Sequence, residues 1–423
     1  MPNSSSSSFT IENIPFGVIS TADHPTPRCA TALDHDAIDL SALESDGFFK
    51  DPYLNDFASL PIESRRQTRQ LLCANLLQLQ EDRTKADRYF IPLNRVKNHY
   101  PMQTANFSDF YCSLEHAQNC CAILGLPASP NWRIIPSVYN GRTSSLNVET
   151  TLTRPHGVIQ NEFGHYAFTP TKKLDMELEL GVFISKPLEA GQILDIKNVA
   201  DHIFGFVILN DWSARDIQSF EMAPLGPFHS KGFGTSISPW IVTTDALDAV
   251  TSAVMVPQDP APLPHLLWKG DGGAATFDIN LSACLISELH SFKAADPWLI
   301  NKGNGKSYNL TETNLNELYW TPFQQLTHLA SAGEGLTTGD IFGTGTISSA
   351  RIDEHGEKIG LACLVERSLP HTSLSALKKD GIVWFEDGDE VIMEGVCINK
   401  TTGSKFGFGQ CRTTITPAVK LAL

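Results

Sequence analysis

Basic residues are scarce in this 423-residue chain: 32 Lys and Arg stand against 47 Asp and Glu, a formal net charge of −15. Such a deficit argues against nucleic acid as a partner, because phosphate binding needs a basic stripe. It suits solubility and a cation site, and establishes neither. Long apolar runs are missing too. No stretch of about 18 apolar residues occurs, so no membrane span is expected. The opening Met-Pro-Asn and five serines lack the apolar core of a signal peptide, and no lipidation signal ends the sequence. No Cys-x-x-Cys spacing occurs among the nine cysteines. An odd number of thiols in a long chain reads as reduced, and a cytoplasmic location is the expectation. There is no internal repeat. What is present, 42% hydrophobic and 19% charged residues, is ordinary for a globular enzyme of two or three domains.

The stretch that organises the chain is Leu174-Asp-Met-Glu-Leu-Glu-Leu-Gly-Val-Phe-Ile184. Alternation on a strand puts Met176, Leu178 and Leu180 on one face and Asp175, Glu177 and Glu179 on the other. Three carboxylates on one face repel unless water or a cation compensates them. Two readings fit: a solvated acidic edge strand, or Glu177 and Glu179 aimed together at a hard cation.

Residues 1–8 are small and polar and read as disordered. Short apolar runs over 9–49 read as strands of a small β domain, and 63–80 as a helix with Leu71, Leu72, Leu76 and Leu79 near one face. A domain boundary falls near residue 100. Ser108 or Asp109 can cap a following helix that carries His116, with Asp109 and His116 two turns apart on one face. The Asn140-Gly141 step signals a hairpin turn that would bring Tyr139 and Arg142 together. The apolar run 203–209 fits a strand buried on both faces. It ends at Asp211, where helical spacing begins, so Asp211, Arg215 and Gln218 can line one edge of a helix start. Such a trio suits stabilisation of an anionic intermediate; an Asp211–Arg215 salt bridge is the structural alternative. A Gly- and Pro-rich loop at 224–236 carries Lys231 and Thr235 and lacks the P-loop order. Residues 274–287 read as a strand, 313–331 as a helix, and 339–347 as a strand whose Gly343 and Gly345 allow close approach beside Thr346. Glu366 ends an apolar run and reads as a partly buried carboxylate. Glu386-Asp-Gly-Asp389 signals a hairpin.

Several tracts together resemble the fumarylacetoacetase (fumarylacetoacetate hydrolase) family. They are Asp109-Phe-Tyr111 with His116, Leu174-Asp-Met-Glu-Leu-Glu179, Asn210-Asp-Trp-Ser-Ala-Arg-Asp-Ile-Gln218, Pro224-Leu-Gly-Pro-Phe228, Gly343-Thr-Gly-Thr-Ile347 and Phe408-Gly-Gln-Cys411. The similarity runs in order over nearly the whole chain. It implies an α+β fold that is mainly β: an SH3-like N-terminal domain over 9–102, then a larger mixed β-roll catalytic domain over 103–423. It implies a homodimer. By position, Asp109, Glu177, Glu179 and Asp211 match calcium ligands, and Lys231 and Thr235 match residues around a second, magnesium-type cation. His116 matches the general base and Glu366 its carboxylate partner. Arg215, Gln218 and Lys231 match groups around the substrate carbonyl and oxyanion, and Tyr111, Tyr139 and Thr346 match substrate contacts.

The implied activity is metal-dependent hydrolysis of fumarylacetoacetate to fumarate and acetoacetate, the last step of tyrosine and phenylalanine breakdown. The chemistry fits independently. Cleaving a C–C bond between two carbonyls requires a base for water, a cation for the diketone oxygens, and donors for the oxyanion. Oxygen ligation by four carboxylates suits Ca²⁺ or Mg²⁺ and not zinc. Three departures from the family pattern bear on substrate choice. The loop 123–130 is short and holds no basic residue where the family has a substrate-contacting arginine. Met222 stands where the family has a tyrosine. The turn reads Tyr139-Asn140-Gly141-Arg142 where the family has Tyr-His-Gly-Arg. The alternatives are a paralogue that cleaves, decarboxylates or tautomerises another diketo acid, and a non-enzymatic calcium-stabilised protein.

Overall fold

The computed structural model describes residues 8–44, 46–81, 89–287, 306–369, 377 and 380–421. The tail expected to be disordered therefore lies outside them except for Ser8, which is tied down. Its carbonyl accepts hydrogen bonds from Gly407 N at 2.7 Å and Asn13 Nδ2 at 3.1 Å.

The first hundred residues form a five-stranded antiparallel sheet in the order Phe90–Pro92, Asp36–Asp39, Arg28–Leu33, Phe16–Thr21, Val96–His99. The helix Ile62–Glu81 packs beside it through Leu72 and Leu76. Leu71 faces solvent instead, because the buried stripe runs through Arg65, Thr68, Leu72 and Leu76, and Leu71 falls off it.

The site is carried by a larger mixed sheet. Its strands run Val138–Asn140, Phe107–Phe110, Ile341–Gly343, Leu178–Ile184, Ile203–Asp211, Thr235–Ile237, Leu146–Asn147, and Val242–Thr243 also pairs with Ile203–Asp211. Ile203–Asp211 is buried along its whole length, as its unbroken apolar run predicts. One face presents Phe206, Ile208, Leu178, Leu180 and Phe342 to a second, five-stranded sheet that includes Asn280–Ser287, Glu390–Ile398 and Lys405–Thr416. The other face presents Val207 and Leu209, with Phe183 and Ile341, toward the N-terminal sheet. There Phe57 packs tilted against Phe16 and edge-on to Phe204, with centroids 5.1 and 5.9 Å apart. Burying each such ring stabilises by roughly 1.5–3 kcal/mol.

Several local expectations give way to tertiary pairing. Asp109 caps no helix. It lies in the strand Phe107–Phe110, and Ser113 caps the helix Leu114–Leu124 by accepting from His116 N at 3.0 Å. Asp109 and His116 thus share no helix face. Asn140-Gly141 makes no hairpin: Val138–Asn140 pairs with Phe107–Phe110, and Gly141 is needed because a Cβ there would lie 2.3 Å from the Phe107 ring. Residues 313–331 are a helix only over Pro322–Leu329, behind a Thr321–Gln324 capping box; Lys306–Asn314 is a strand paired with Asn280–Ser287. The predicted strand over 339–347 is Ile341–Gly343, followed by a loop in which Gly345 takes φ +80°. Gly388 does make a turn, but the preceding Phe385 bridges Leu174 rather than the strand that follows.

Candidate active site

The acidic stretch is two strands, not one. Leu174–Asp175 pairs with Ser213–Ala214, and Leu178–Ile184 lies between Ile203–Asp211 and Ile341–Gly343 at the centre of the sheet. Glu177 sits at the break. None of these carboxylates is a solvated edge: Asp175, Glu177 and Glu179 are all buried.

Cross-strand register then gathers acids from distant sequence. Glu179 pairs with Leu209, Gly181 with Val207 and Gly343, Gly343 with Asp109, and Asp109 with Tyr139. Residues paired directly opposite share a face, and alternate residues of one strand share it as well. So Asp109, Tyr139, Glu179, Asp211 and Thr235 all project from one face of one sheet. Gly343 sits among them without a side chain; a Cβ there would stand 2.7 Å from Glu179 Oε2 and 2.8 Å from Asp109 Oδ1.

The carboxyl oxygens of Asp109, Glu179 and Asp211 lie within 4.8 Å of one another, and all three residues are at most 2% exposed. Asp109 Oδ1 and Glu179 Oε1 find no hydrogen-bond donor among the described residues. A buried, unsatisfied carboxylate oxygen costs several kcal/mol, so two of them in one cluster call for a cation. The all-oxygen donor set fits a hard ion such as Ca²⁺ or Mg²⁺. Burial and the neighbouring carboxylates push Asp109 and Glu179 well above the usual carboxylate range, and burial with Glu177 raises Asp211. Glu177 goes the other way. Burial opposes its charge, but Lys231 and Arg215 outweigh it and hold its pKa low.

Two cations are built into this corner. Lys231 Nζ donates to Asp211 Oδ2 at 2.6 Å and to Glu177 Oε2. An ammonium has no lone pair, so the Lys231 side chain could adjoin a metal and not ligate one. Thr235 Oγ1 donates to Asp211 Oδ1 at 3.3 Å and lies 2.9 Å from Ser145 Oγ. Tyr139 O–H donates to Asp211 Oδ2 at 3.3 Å.

The Asp211–Arg215 salt bridge does not form. Arg215 turns back to Asp175 Oδ2 through Nε and to Glu177 Oε1 through Nη2, each at 2.8 Å, and Nη1 donates to Gln218 Oε1 at 3.0 Å. Gln218 thereby has its carbonyl fixed and its amide N–H₂ left to point elsewhere. Asp175 is a connection the sequence reading missed. Besides Arg215 it accepts from Leu364 N at 2.7 Å and Val365 N at 3.0 Å, so it ties the Arg215 helix to the segment that carries Glu366.

That segment completes the second half of the site. His116 Nδ1 lies 3.1 Å from Glu366 Oε2, and both groups are buried. Asn119, one turn along the helix, donates to Glu366 Oε1 at 2.8 Å, and Ser348 Oγ donates to Oε2 at 2.6 Å. Burial opposes Glu366's charge, but His116, Asn119 and the Cys363 thiol hold its pKa down at about 2. Burial likewise disfavours the imidazolium; Cys120, Glu366 and Cys363 outweigh it, and His116 rises well above the ordinary histidine value. Tyr111 lies edge-on to the imidazole, centroids 5.1 Å apart. Thr346 is buried in the Gly345 loop. Asn119 and Ser348 were unassigned from sequence; the spacing of Asn119, three after His116, is the one signal that marks it.

The family model "Fumarylacetoacetate (FAA) hydrolase C-terminal" matches residues 105–416, and "Fumarylacetoacetase N-terminal" matches residues 12–101. The chain belongs to the fumarylacetoacetase family. It is 37% identical over 435 residues to the fumarylacetoacetase of Arabidopsis thaliana, covering 98% of this chain and 97% of that protein. It is 34% identical to that of Rattus norvegicus, covering 100% and 99%. Among solved structures, a probable 2-hydroxyhepta-2,4-diene-1,7-dioate isomerase from Mycobacterium abscessus aligns with TM-score 0.50 over 96% of this chain and 100% of that one, at 14% identity. At that identity the likeness shows the fold alone. Of the residues that depart from the family pattern, loop 123–130 is largely exposed, and Met222 stands exposed just past the Arg215 helix.

Proposed function

We propose that the protein hydrolyses fumarylacetoacetate, a β-diketo acid, to fumarate and acetoacetate. The observation that carries this reading is the buried His116–Glu366 pair beside a cluster of carboxylates with unsatisfied oxygens. His116 is held through Nδ1 by Glu366, which leaves Nε2 for a water proton. The water oxygen attacks one carbonyl carbon as its proton passes to Nε2. The C–C bond to the methylene then breaks, the electron pair leaves with the acetoacetate fragment, and that fragment takes up a proton. Gln218's free amide and the Lys231 ammonium are donors for the developing oxyanion, and Arg215 positions Glu177 and Gln218. Tyr111, Tyr139 and Thr346 contact the substrate. Asp109, Glu177, Glu179 and Asp211 would hold Ca²⁺ or Mg²⁺, with Thr235 adjoining; the ion, when bound, supplies positive charge for the two diketone oxygens.

We infer further that residues 9–102 and 103–423 form the SH3-like and catalytic domains, that the protein works as a homodimer, and that it acts in the cytoplasm in the last step of tyrosine and phenylalanine breakdown. None of the helices among the described residues is long and apolar enough to cross a membrane.

Loss of diketone absorbance tests the activity. Wild type should consume fumarylacetoacetate, and His116→Ala should be slower by about 10²–10⁴-fold, the usual worth of a positioned base. Equal rates would remove His116 from the mechanism. A second reading, turnover of another diketo acid, is favoured by the missing basic residue in loop 123–130. A cleft of about 480 Å³ lined by Arg142, His156, His229 and Gly232 offers other basic groups for a carboxylate. Under this reading a panel of acylpyruvates outruns fumarylacetoacetate in kcat/KM.

A further inference from the structure

The water-activating pair stands among thiols that the reaction does not use. Cys363 Sγ lies 3.0 Å from Glu366 Oε2 and 3.8 Å from His116 Nδ1. With the 3.1 Å between Nδ1 and Oε2, these three atoms close a triangle of one nitrogen, one sulfur and one oxygen. All three residues are buried, and their donor atoms lie within 4.8 Å of one another. Cys120, one turn along the same helix, brings its Sγ to 3.8 Å from Nδ1 and 3.6 Å from Nε2. In a tetrahedral zinc site, with metal–sulfur bonds of about 2.3 Å and metal–nitrogen or metal–oxygen bonds of about 2.0–2.2 Å, neighbouring donors stand roughly 3.3–3.6 Å apart. The three observed edges bracket that value.

We propose that His116, Cys363 and Glu366 form a second metal site, selective for zinc-class ions. Its chemistry differs from that of the carboxylate cluster. A sulfur donor with an imidazole selects Zn²⁺ or Cd²⁺, whereas Asp109, Glu177, Glu179 and Asp211 offer only hard oxygens to Ca²⁺ or Mg²⁺. The chain thus sorts two classes of ion into adjoining pockets. Binding breaks the Cys363 S–H bond and forms a metal–sulfur bond; the proton passes to solvent, and no electron changes hands. A metal on Nδ1 displaces the proton shared with Glu366, and the neutral ring then carries its proton on Nε2. Such a ring donates and cannot accept. Given the proposed role of His116 as base, zinc-class ions are inhibitors that excess Ca²⁺ or Mg²⁺ does not relieve.

The test uses full-length protein in excess Ca²⁺, titrated with Cd²⁺. The thiolate-to-cadmium ultraviolet band reports binding, and turnover is followed in parallel. The expected result is a band that saturates at one Cd²⁺ per chain, with turnover falling in step. Cys363→Ser should lose the band and weaken Cd²⁺ binding by more than the roughly 10–100-fold that loss of an outer partner costs; Cys363→Ala serves if serine disturbs packing. A band that Cys363→Ser abolishes, with turnover untouched by Cd²⁺, upholds the site and removes His116 as base. No band in wild type, or an equal band in Cys363→Ser from other thiols, overturns the proposal.

Discussion

Glu366 shows at the scale of one residue how burial becomes function. It is fully buried, carries its charge because His116, Asn119 and Ser348 face it, and in turn raises the proton affinity of the imidazole. The base form is the neutral ring, so kcat/KM should fall on the acid side with a midpoint above the ordinary histidine value near 6.5. Glu366→Gln removes the facing charge. Its acid limb should move to lower pH, and its maximal rate should drop by about 10²–10⁴-fold; a limb that stays in place would show that Glu366 does not set the pKa of His116. The same pair links to stability. The part that rests on His116's raised pKa is complete below its unfolded value and disappears as pH rises through the folded one. The part that rests on Glu366 is present above about 4.5 and disappears as pH falls toward about 2. Arg142 gives a residue-scale prediction at the rim. If the cleft lined by Arg142, His156 and His229 takes a substrate carboxylate, Arg142→Ala should raise KM several-fold with little change in kcat, and an unchanged KM would place that carboxylate elsewhere.

At the scale of elements, the site depends on pairing that no local pattern encodes. Glu179 and Asp211 were legible because their alternation and their place at the end of a buried run mark them. Glu177 was legible as an acid of the same tract, but the break in the strand that turns it toward Lys231 was not. Asp109 was misplaced as a helix cap because Ser-Asp before a helical pattern is a cap signal, and only parallel pairing with Ile341–Gly343, more than 200 residues away, overrides it. Arg215 found Asp175 rather than Asp211 for the same reason: Leu174–Asp175 pairs with Ser213–Ala214, and Asp211, four residues before Arg215, ends a strand and shares no helix with it. Gly343 is the element-scale test. Gly343→Ala puts a methyl between Glu179 and Asp109 while leaving the strand hydrogen bonds intact. It should weaken Ca²⁺ binding at least tenfold and cut activity, with circular dichroism unchanged. Native affinity in that variant would mean the cation does not sit between those acids. Glu221 organises the next element. Its carboxylate accepts from Phe228 N and Ser230 N at 2.8 Å and from His229 N at 3.1 Å, fixing the loop that delivers Lys231. Glu221→Ala should loosen that loop and raise its amide exchange, with activity falling further than stability.

At the scale of the molecule, the N-terminal sheet and the second catalytic sheet clamp the opposite faces of one strand, Ile203–Asp211, which ends in the site. A cation bound there would hold Asp109, Glu179 and Asp211 together against their mutual repulsion. Chelation should therefore lower Tm as well as activity, and an ion at a hundred times its Kd should restore about 2.7 kcal/mol. The central claim is that acids from separate strands close around one hard ion beside an imidazole. Calorimetric titration of Ca²⁺ into chelator-stripped protein, wild type against Glu179→Gln, tests it most directly. The account predicts one ion per chain in wild type and a loss of that binding in Glu179→Gln; equal binding by both proteins, or none by wild type, would contradict it.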